Sequence, residues 1–541
     1  LITDCSSAAA DASAEERQKA LEEAVGELDS VGSKEAGSSG IESSGTVMKI
    51  TGQKDGNRSH LGGITAKVYV GGILGYNVQD TSLEISSLIN GTPVTATGFL
   101  IAEELTGTDN LDLYADNAKK TYSYAGGIVG KCSESMKITN CSADDTGRVI
   151  SSGTYTGGLV EVNEGSINLC KAANLGQQTQ NYVGGIVGLN KPQGSIVKPE
   201  LNGKTVTGKN MVGGIAADNY GTVTGVSEDS EGKIELRGTV YGYGENVGGI
   251  AGYSHNPTPD EGTELKPEDK KASVSEFVLA VNLYGTGVNA GGGIGNNEGE
   301  MSDISYVESA GNSYQIQGDT NVGGIVGRYS YTISSGGTGE QEAKLTGLYN
   351  IARVTANYGY AGGIAGVIEG KARVENCSST GTVSVLGKKS AHITAAGGIT
   401  GHLREGSISH CTDTGSVEAL KGAAGGIVGI NNGTVADCTV KDSGTPGSLN
   451  AVTLTVNGGT HAGGIAGQNT GKINGCKVDG LKLTTPGDRN GGYLGGIAGE
   501  NAKAAPDKGA AESEAEAPEI TRFSVRLLKV TTGSSLSLIH I

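Results

Sequence analysis

The sequence predicts an all-β protein built as a parallel β-solenoid. Three observations predict it: a recurring glycine phrase, the strand-like chemistry between its copies, and the lack of helical periodicity there. Gly-Gly-Ile/Leu occurs fourteen times between Gly62 and Ile497. Ten copies read Gly-Gly-Ile-x-Gly, starting at Gly71, Gly126, Gly184, Gly248, Gly323, Gly362, Gly397, Gly425, Gly463 and Gly495; those at Gly62, Gly157, Gly213 and Gly292 are degenerate. Twelve intervals separate Gly71 from Gly495, a mean period of about 35 residues, which marks a stacked-repeat architecture.

Each repeat carries three short β phrases. In the stretch from Gly397 these are apolar-Gly-Gly-Ile-x-Gly, then Gly-Ser-Ile-Ser-His-Cys, then Gly415-Ser416-Val417. Runs this short, β-branched and bounded by glycine are strand signals, and no i, i+3, i+4 pattern competes. Three such strands and their turns fill the shortest interval, so one repeat is one coil of a three-sided solenoid of about 13 repeats. Simple alternation puts Val183 and Ile186, on either side of the glycine pair, on opposite faces. Either the pair is a corner that turns both inward, or this side is covered on both faces.

Composition sets the limits. Glycine makes up 93 of 541 residues without a collagen period, Trp is absent and Phe numbers three, so the core is thin layers of Ile, Val, Leu, Ala and Cys. A net charge of −17 lacks the basic footprint that nucleic acid requires. No run of 18 apolar residues suggests a transmembrane segment in this chain.

Six of the eight cysteines, Cys141, Cys170, Cys377, Cys411, Cys438 and Cys476, each fall three residues after an apolar residue of the second phrase. Pro199 or Val226 takes the position elsewhere, so the slot is small and mostly apolar. The favoured reading is an internal ladder of free thiols; a disulfide alternative remains open, and no Cys-x-x-Cys or His-x3-His spacing suggests a metal. Alongside it, isoleucines such as Ile128, Ile186, Ile427 and Ile465 are expected to stack from coil to coil. Tyr124, Tyr155 and Tyr182 each precede a glycine pair by two positions in consecutive repeats. With the residue between pointing inward, they form an outward aromatic stripe able to hold a ligand, or a ladder that only protects the sheet. No catalytic residues, cofactor or metal are indicated, since Ser, His and Asp are scattered over separate repeats without a nucleophile elbow.

The chain divides into a non-repeat segment 1–45 with a helix near 14–29, signalled by the Ser13/Glu16 capping spacing; the solenoid, 46–501; an Ala/Glu/Pro-rich linker, 502–519; and 520–541, the start of a further element.

The phrases Gly425 to Cys438 (Gly-Gly-Ile-Val-Gly-Ile-Asn-Asn-Gly-Thr-Val-Ala-Asp-Cys) and Gly463 to Cys476 closely resemble the GLUG motif. That family occurs in bacterial surface proteins, including adhesin-like proteins and the non-catalytic part of IgA-specific metallopeptidases. The resemblance implies an extracellular, cell-surface or secreted bacterial β-solenoid. None of the seven histidines opens a His-Glu-x-x-His motif, so protease activity is not carried over. The expectation is a non-catalytic structural or adhesive module that displays loops or a distal domain and binds a host or matrix glycan or protein. The alternatives are a polysaccharide-active β-helix enzyme and the stalk of a larger surface metallopeptidase.

Overall fold

The computed structural model describes residues 124–143, 155–172, 181–226, 232–256, 272–307, 314–331, 344–388, 393–442, 455–485, 492–502 and 517–532, with isolated residues and short strands between 40 and 122, at 149–151 and at 175. The chain divides into two compact units, Leu1–Thr239 and Val240–Ile541. The helix expected near 14–29 lies outside the described residues.

Both units are parallel β-solenoids. In the first, one coil runs through Tyr182–Gly184, Val187–Asn190, Ser195–Val197 and Lys204–Gly208. Its first three strands pair in parallel with the coil before, Tyr155↔Tyr182 and Val160↔Val187 among the partners, and with the coil after. Strand structure begins ahead of the boundary expected at 46: Gly40–Ser44 pairs antiparallel with Val47–Thr51, which then joins the parallel stack on Ser82–Ser86.

In the second unit, Tyr360–Gly362, Ala365–Gly370, Arg373–Glu375, Ser378–Ser379 and Val383–Val385 make one coil. Every one of these strands pairs in parallel with the coil that starts at Ala395. Such a coil feeds four parallel sheets, because the first phrase divides at its glycine pair.

That division answers the question left open by alternation: the glycine pair is a corner. A Cβ on the first glycine would meet the carbonyl oxygen three residues on, at 1.8 Å for Gly184 and 2.0 Å for Gly425. One on the second would meet the equivalent glycine of the next coil, 2.0 Å from the Gly214 carbonyl oxygen for Gly185. No side chain fits either place, so the backbone turns sharply and aims both flanking residues inward. Val183 and Ile186 are both fully buried, as are Ile128, Ile427 and Ile465, each contributing about 2 kcal/mol of burial. At one coil the register differs from the sequence reading. Gly291, not Gly292, pairs with Gly323, and Ile294 pairs with Val326. Gly293 therefore takes the isoleucine position, and a Cβ there would lie 3.2 Å from the Met301 methyl carbon, which covers the gap.

A second corner sets the cysteine slot. The residue before it is left-handed in coil after coil: Asn140 (φ 53), Asn376 (φ 53), His410 (φ 54), Asp437 (φ 52) and Gly475 (φ 68). Asn, Asp and Gly reach this region at least cost, which explains their recurrence there.

The far end departs from the expected boundaries. Glu519–Thr521 pairs in parallel with Lys472–Asn474, and Ser524–Thr532 with Lys477–Thr485. Residues 520–532 are therefore not the start of another element but the closing strands of the coil that begins at Tyr493. The intervening insertion sits at a turn that most other coils cross in two to four residues, and it hides this continuity in the sequence.

Candidate binding surface

In the first unit the column two residues before the glycine pair runs Tyr155, Tyr182, Met211 in register. The backbone of Tyr124 pairs with Tyr69 in the same column, and its side chain lies outside the described residues. Tyr155 is only 7% exposed. Its ring tilts 55° against Tyr182 with centroids 5.0 Å apart, and it packs with Val162 and Leu189. Its hydroxyl donates to Asp218 Oδ2 at 3.0 Å. Burial, then the neighbouring Asp218 charge, pushes that hydroxyl well above its ordinary pKa, so it stays protonated and donating. The buried Glu161 carboxylate accepts from the Ala125 backbone N–H.

Rather than standing clear of the surface, Tyr155 is thus folded into the corner with its ring covered, and Tyr182 is half-buried beside it. The cause is the glycine corner: the strands before and after it lie so close that residues three and four beyond the pair, here Glu161, Val162 and Leu189, cover the tyrosine column.

The six slot cysteines, with Cys132, are free and buried. Each slot thiol faces the carbonyl oxygen two residues back, at 3.2 Å from Glu375 for Cys377 and from Ser409 for Cys411, and 3.3 Å from Ala436 for Cys438. The left-handed corner exposes that carbonyl, and the thiol is a weak donor to it. Burial pushes the thiol of Cys132 up to about 12 and raises those of Cys170 and Cys377, which keeps them neutral and poorly nucleophilic.

A third ladder escaped the sequence reading. Asn163 Nδ2 donates to Asn190 Oδ1, and Asn190 Nδ2 to Asn219 Oδ1, both at 2.8 Å. In the second unit Asn431 donates to Asn469 and Asn469 to Asn501, both at 2.7 Å. The spare bonding capacity goes to the turn that follows, as from the Gly165 N–H to Asn163 Oδ1 at 3.2 Å. The signal was present as the recurring Asn-x-Gly of Asn163-Glu164-Gly165, Asn219-Tyr220-Gly221, Asn297-Glu298-Gly299, Asn431-Asn432-Gly433 and Asn469-Thr470-Gly471.

The charged side chains that meet do so as ion pairs. Glu164 accepts from Lys191 at 2.7 Å and lies 3.4 Å from Lys131, while Glu369 bridges Arg328 and Arg404. His402, tilted against Tyr360 with ring centroids 4.9 Å apart, sits 3.0 Å from Asn432 Oδ1; burial lowers its pKa to about 4, leaving it neutral. Among the described residues no three His, Cys, Asp or Glu side chains are grouped to hold a metal ion.

The coil that starts at Tyr360 carries the deciding observation. Residues 357–384 match the family described as the GLUG motif. The chain carries a GLUG motif. In this coil the motif spans the glycine corner, the left-handed Asn376 and the Cys377 slot, the features that recur along both units. No curated protein sequence matches the chain. A solved structure from Bacteroides ovatus, provisionally named an immunoglobulin A1 protease, is similar over 54% of this chain and 78% of its own, at 17% identity and a TM-score of 0.28.

Proposed function

We propose that the chain is a non-catalytic structural and adhesive module of a bacterial surface or secreted protein, a GLUG-motif solenoid that carries loops and outward side chains for binding a host or matrix glycan or protein. One observation carries this reading: everything that repeats is stacking chemistry. The glycine corner, the isoleucine stack, the thiol slot and the asparagine ladder each satisfy the next coil's backbone or core, and none presents a nucleophile, an acid/base pair or an open metal site. The GLUG motif supports the surface setting. The experiment is incubation of the purified chain with immobilised matrix and with immunoglobulin A1, following retention, intact heavy chain and released reducing ends. Retention with both substrates intact is expected. Cleavage of either would sink the non-catalytic reading, and failure to be retained on any matrix would sink the adhesive one.

A further inference from the structure

The corner that precedes the glycine pair in the first coils of the second unit carries exposed tyrosines in adjacent coils. Tyr241 and Tyr284 stack in adjacent coils with ring centroids 5.1 Å apart and planes 14° apart. Tyr241 is 36% exposed and Tyr243 41%, with Val288 at 47% beside them. Backbone hydrogen bonds join the two turns. Thr286 N–H donates to the Gly242 carbonyl at 2.9 Å, and Asn289 N–H to the Glu245 carbonyl at 2.7 Å. A Cβ on Gly287 would fall 1.0 Å from the Gly244 carbonyl oxygen, so only glycine lets the two turns stack.

The tyrosine column continues through the next three coils as uncharged hydrogen-bonding groups and reaches Glu418 in the fourth. Tyr284 is in register with Gln317, Gln317 with Thr355, and Thr355 with Ser384, whose hydroxyl lies 3.2 Å from that of Thr355. In the turn after Gln317, Asp319 Oδ1 accepts from Asn357 Nδ2 at 2.6 Å, and Asp319 Oδ2 accepts from the Tyr358 hydroxyl at 3.4 Å. Aromatic rings followed by a fixed carboxylate and carboxamide match a sugar, which offers C–H faces to the rings and hydroxyls to the planar polar groups.

We infer that this corner is a binding site for a neutral polysaccharide chain lying along the coils, with Tyr241 and Tyr284 as the stacking platform and Asp319 with Asn357 as the hydroxyl-reading pair. Charge narrows the class: Glu245 and Asp319 lie in the turns of this corner and Glu418 follows Ser384 in the same column, so the face carries carboxylates that repel a uronate or a sulfated glycan. Geometry selects a polymer, because the coils repeat the same outward position about every 4.8 Å, close to the length of one pyranose unit. This site deepens the adhesive reading above and rests on it.

The test titrates the purified chain with cellohexaose and mannohexaose, and with trigalacturonate as the charged probe, by calorimetry and by tyrosine emission, which no tryptophan masks. At least one neutral hexaose should bind saturably and trigalacturonate should not. Y241A/Y284A should weaken binding about tenfold or more with an unchanged β-sheet circular-dichroism spectrum, while Y241F/Y284F, which keeps the rings, should stay within about threefold. N357A should weaken binding as well. Absence of binding by either neutral hexaose at about 10 mM would overturn the site, as would equal binding of trigalacturonate or an unchanged affinity in Y241A/Y284A. Retention on matrix without any hexaose binding would reject this site and leave the adhesive reading standing. Cleavage of a bound hexaose would reject the non-catalytic reading and leave the site standing.

Discussion

Two columns of polar side chains run inside these solenoids, and they are opposites. The asparagine ladder is satisfied where it runs: Asn163 donates to Asn190 and Asn190 to Asn219, the Asn219 amide donates to the Gly221 carbonyl at 3.2 Å, and all three are fully buried. The second column, confined to the second unit, runs Tyr306, Asn350, Ser379, Asp413 against the glycine corners, and Asn350, Ser379 and Asp413 are also fully buried. Here the Tyr306 hydroxyl, Ser379 Oγ and Asp413 Oδ2 find no hydrogen-bond partner. Asn350 escapes by bonding both ways to Ala352 at 3.0 and 3.2 Å, and Asp413 Oδ1 accepts the Gly415 N–H at 3.2 Å. A polar group inside a stacked coil thus specifies the register when its neighbour is its complement, and costs stability when it is not.

The largest expected effect breaks the satisfied ladder. Asn190→Leu leaves the Asn163 amide donor and the Asn219 acceptor buried without their partner. It should lower stability by about 3 kcal/mol or more, read from the midpoint of urea unfolding. The same kind of change in the other column should do the reverse: Asp413→Val, the residue that Val440 supplies one coil later, should be neutral or stabilising by about 1–2 kcal/mol. If both substitutions cost the same, the contrast between the columns is wrong.

Asp413 also carries a pH signature. Burial raises its carboxyl well above the usual carboxylate range, against the pull of the Gly415 and Thr414 backbone N–H groups. A group whose folded pKa is raised contributes stability that is fully present below its unfolded pKa, about 3.9, and is lost as pH rises through the folded value. The advantage of Asp413→Asn over the parent should therefore grow as pH rises above about 4. An advantage independent of pH would show that Asp413 titrates normally.

How far the sequence spoke depends on what each residue meets. The glycine pair, the stacked isoleucines and the thiol slot were legible because one residue type recurs where one backbone shape recurs. The asparagine ladder was not, although Asn-x-Gly was in plain view. Which way its side chain points depends on the sharpness of the glycine corner, and alternation along one chain cannot supply that. Whether Tyr155 stood clear or stacked under cover stayed open for the same reason: Val162 and Leu189, one corner away, decide its exposure. The strand Ser524–Thr532 was hidden by an insertion, although its alternation matches Lys477–Thr485 once they are paired.

Smaller effects sharpen the corners between these columns. Leu169 holds a left-handed backbone (φ 55) and is 39% exposed, where most coils use Asn, Asp or Gly. Leu169→Asn should raise stability by about 0.5–1 kcal/mol in thermal or urea unfolding, and a loss would mean that the leucine packs better than its exposure suggests. Cys438→Val should cost less than about 1 kcal/mol, since Val226 occupies the same slot in the first unit. In the parent, the slot thiols should react slowly with a thiol reagent in the native state and at once in denaturant without reductant; release only by reductant would establish disulfides instead.

The most direct measurement is hydrogen exchange of the asparagine side-chain amides, followed by NMR in protein labelled only at Asn. The coil-on-coil ladder predicts that the Nδ2 protons of Asn163, Asn190, Asn431 and Asn469 exchange as slowly as the backbone of the strands they sit in, while the exposed Asn210 amide exchanges freely. Side-chain amides of the ladder exchanging at the rate of Asn210 would contradict the stacked register itself.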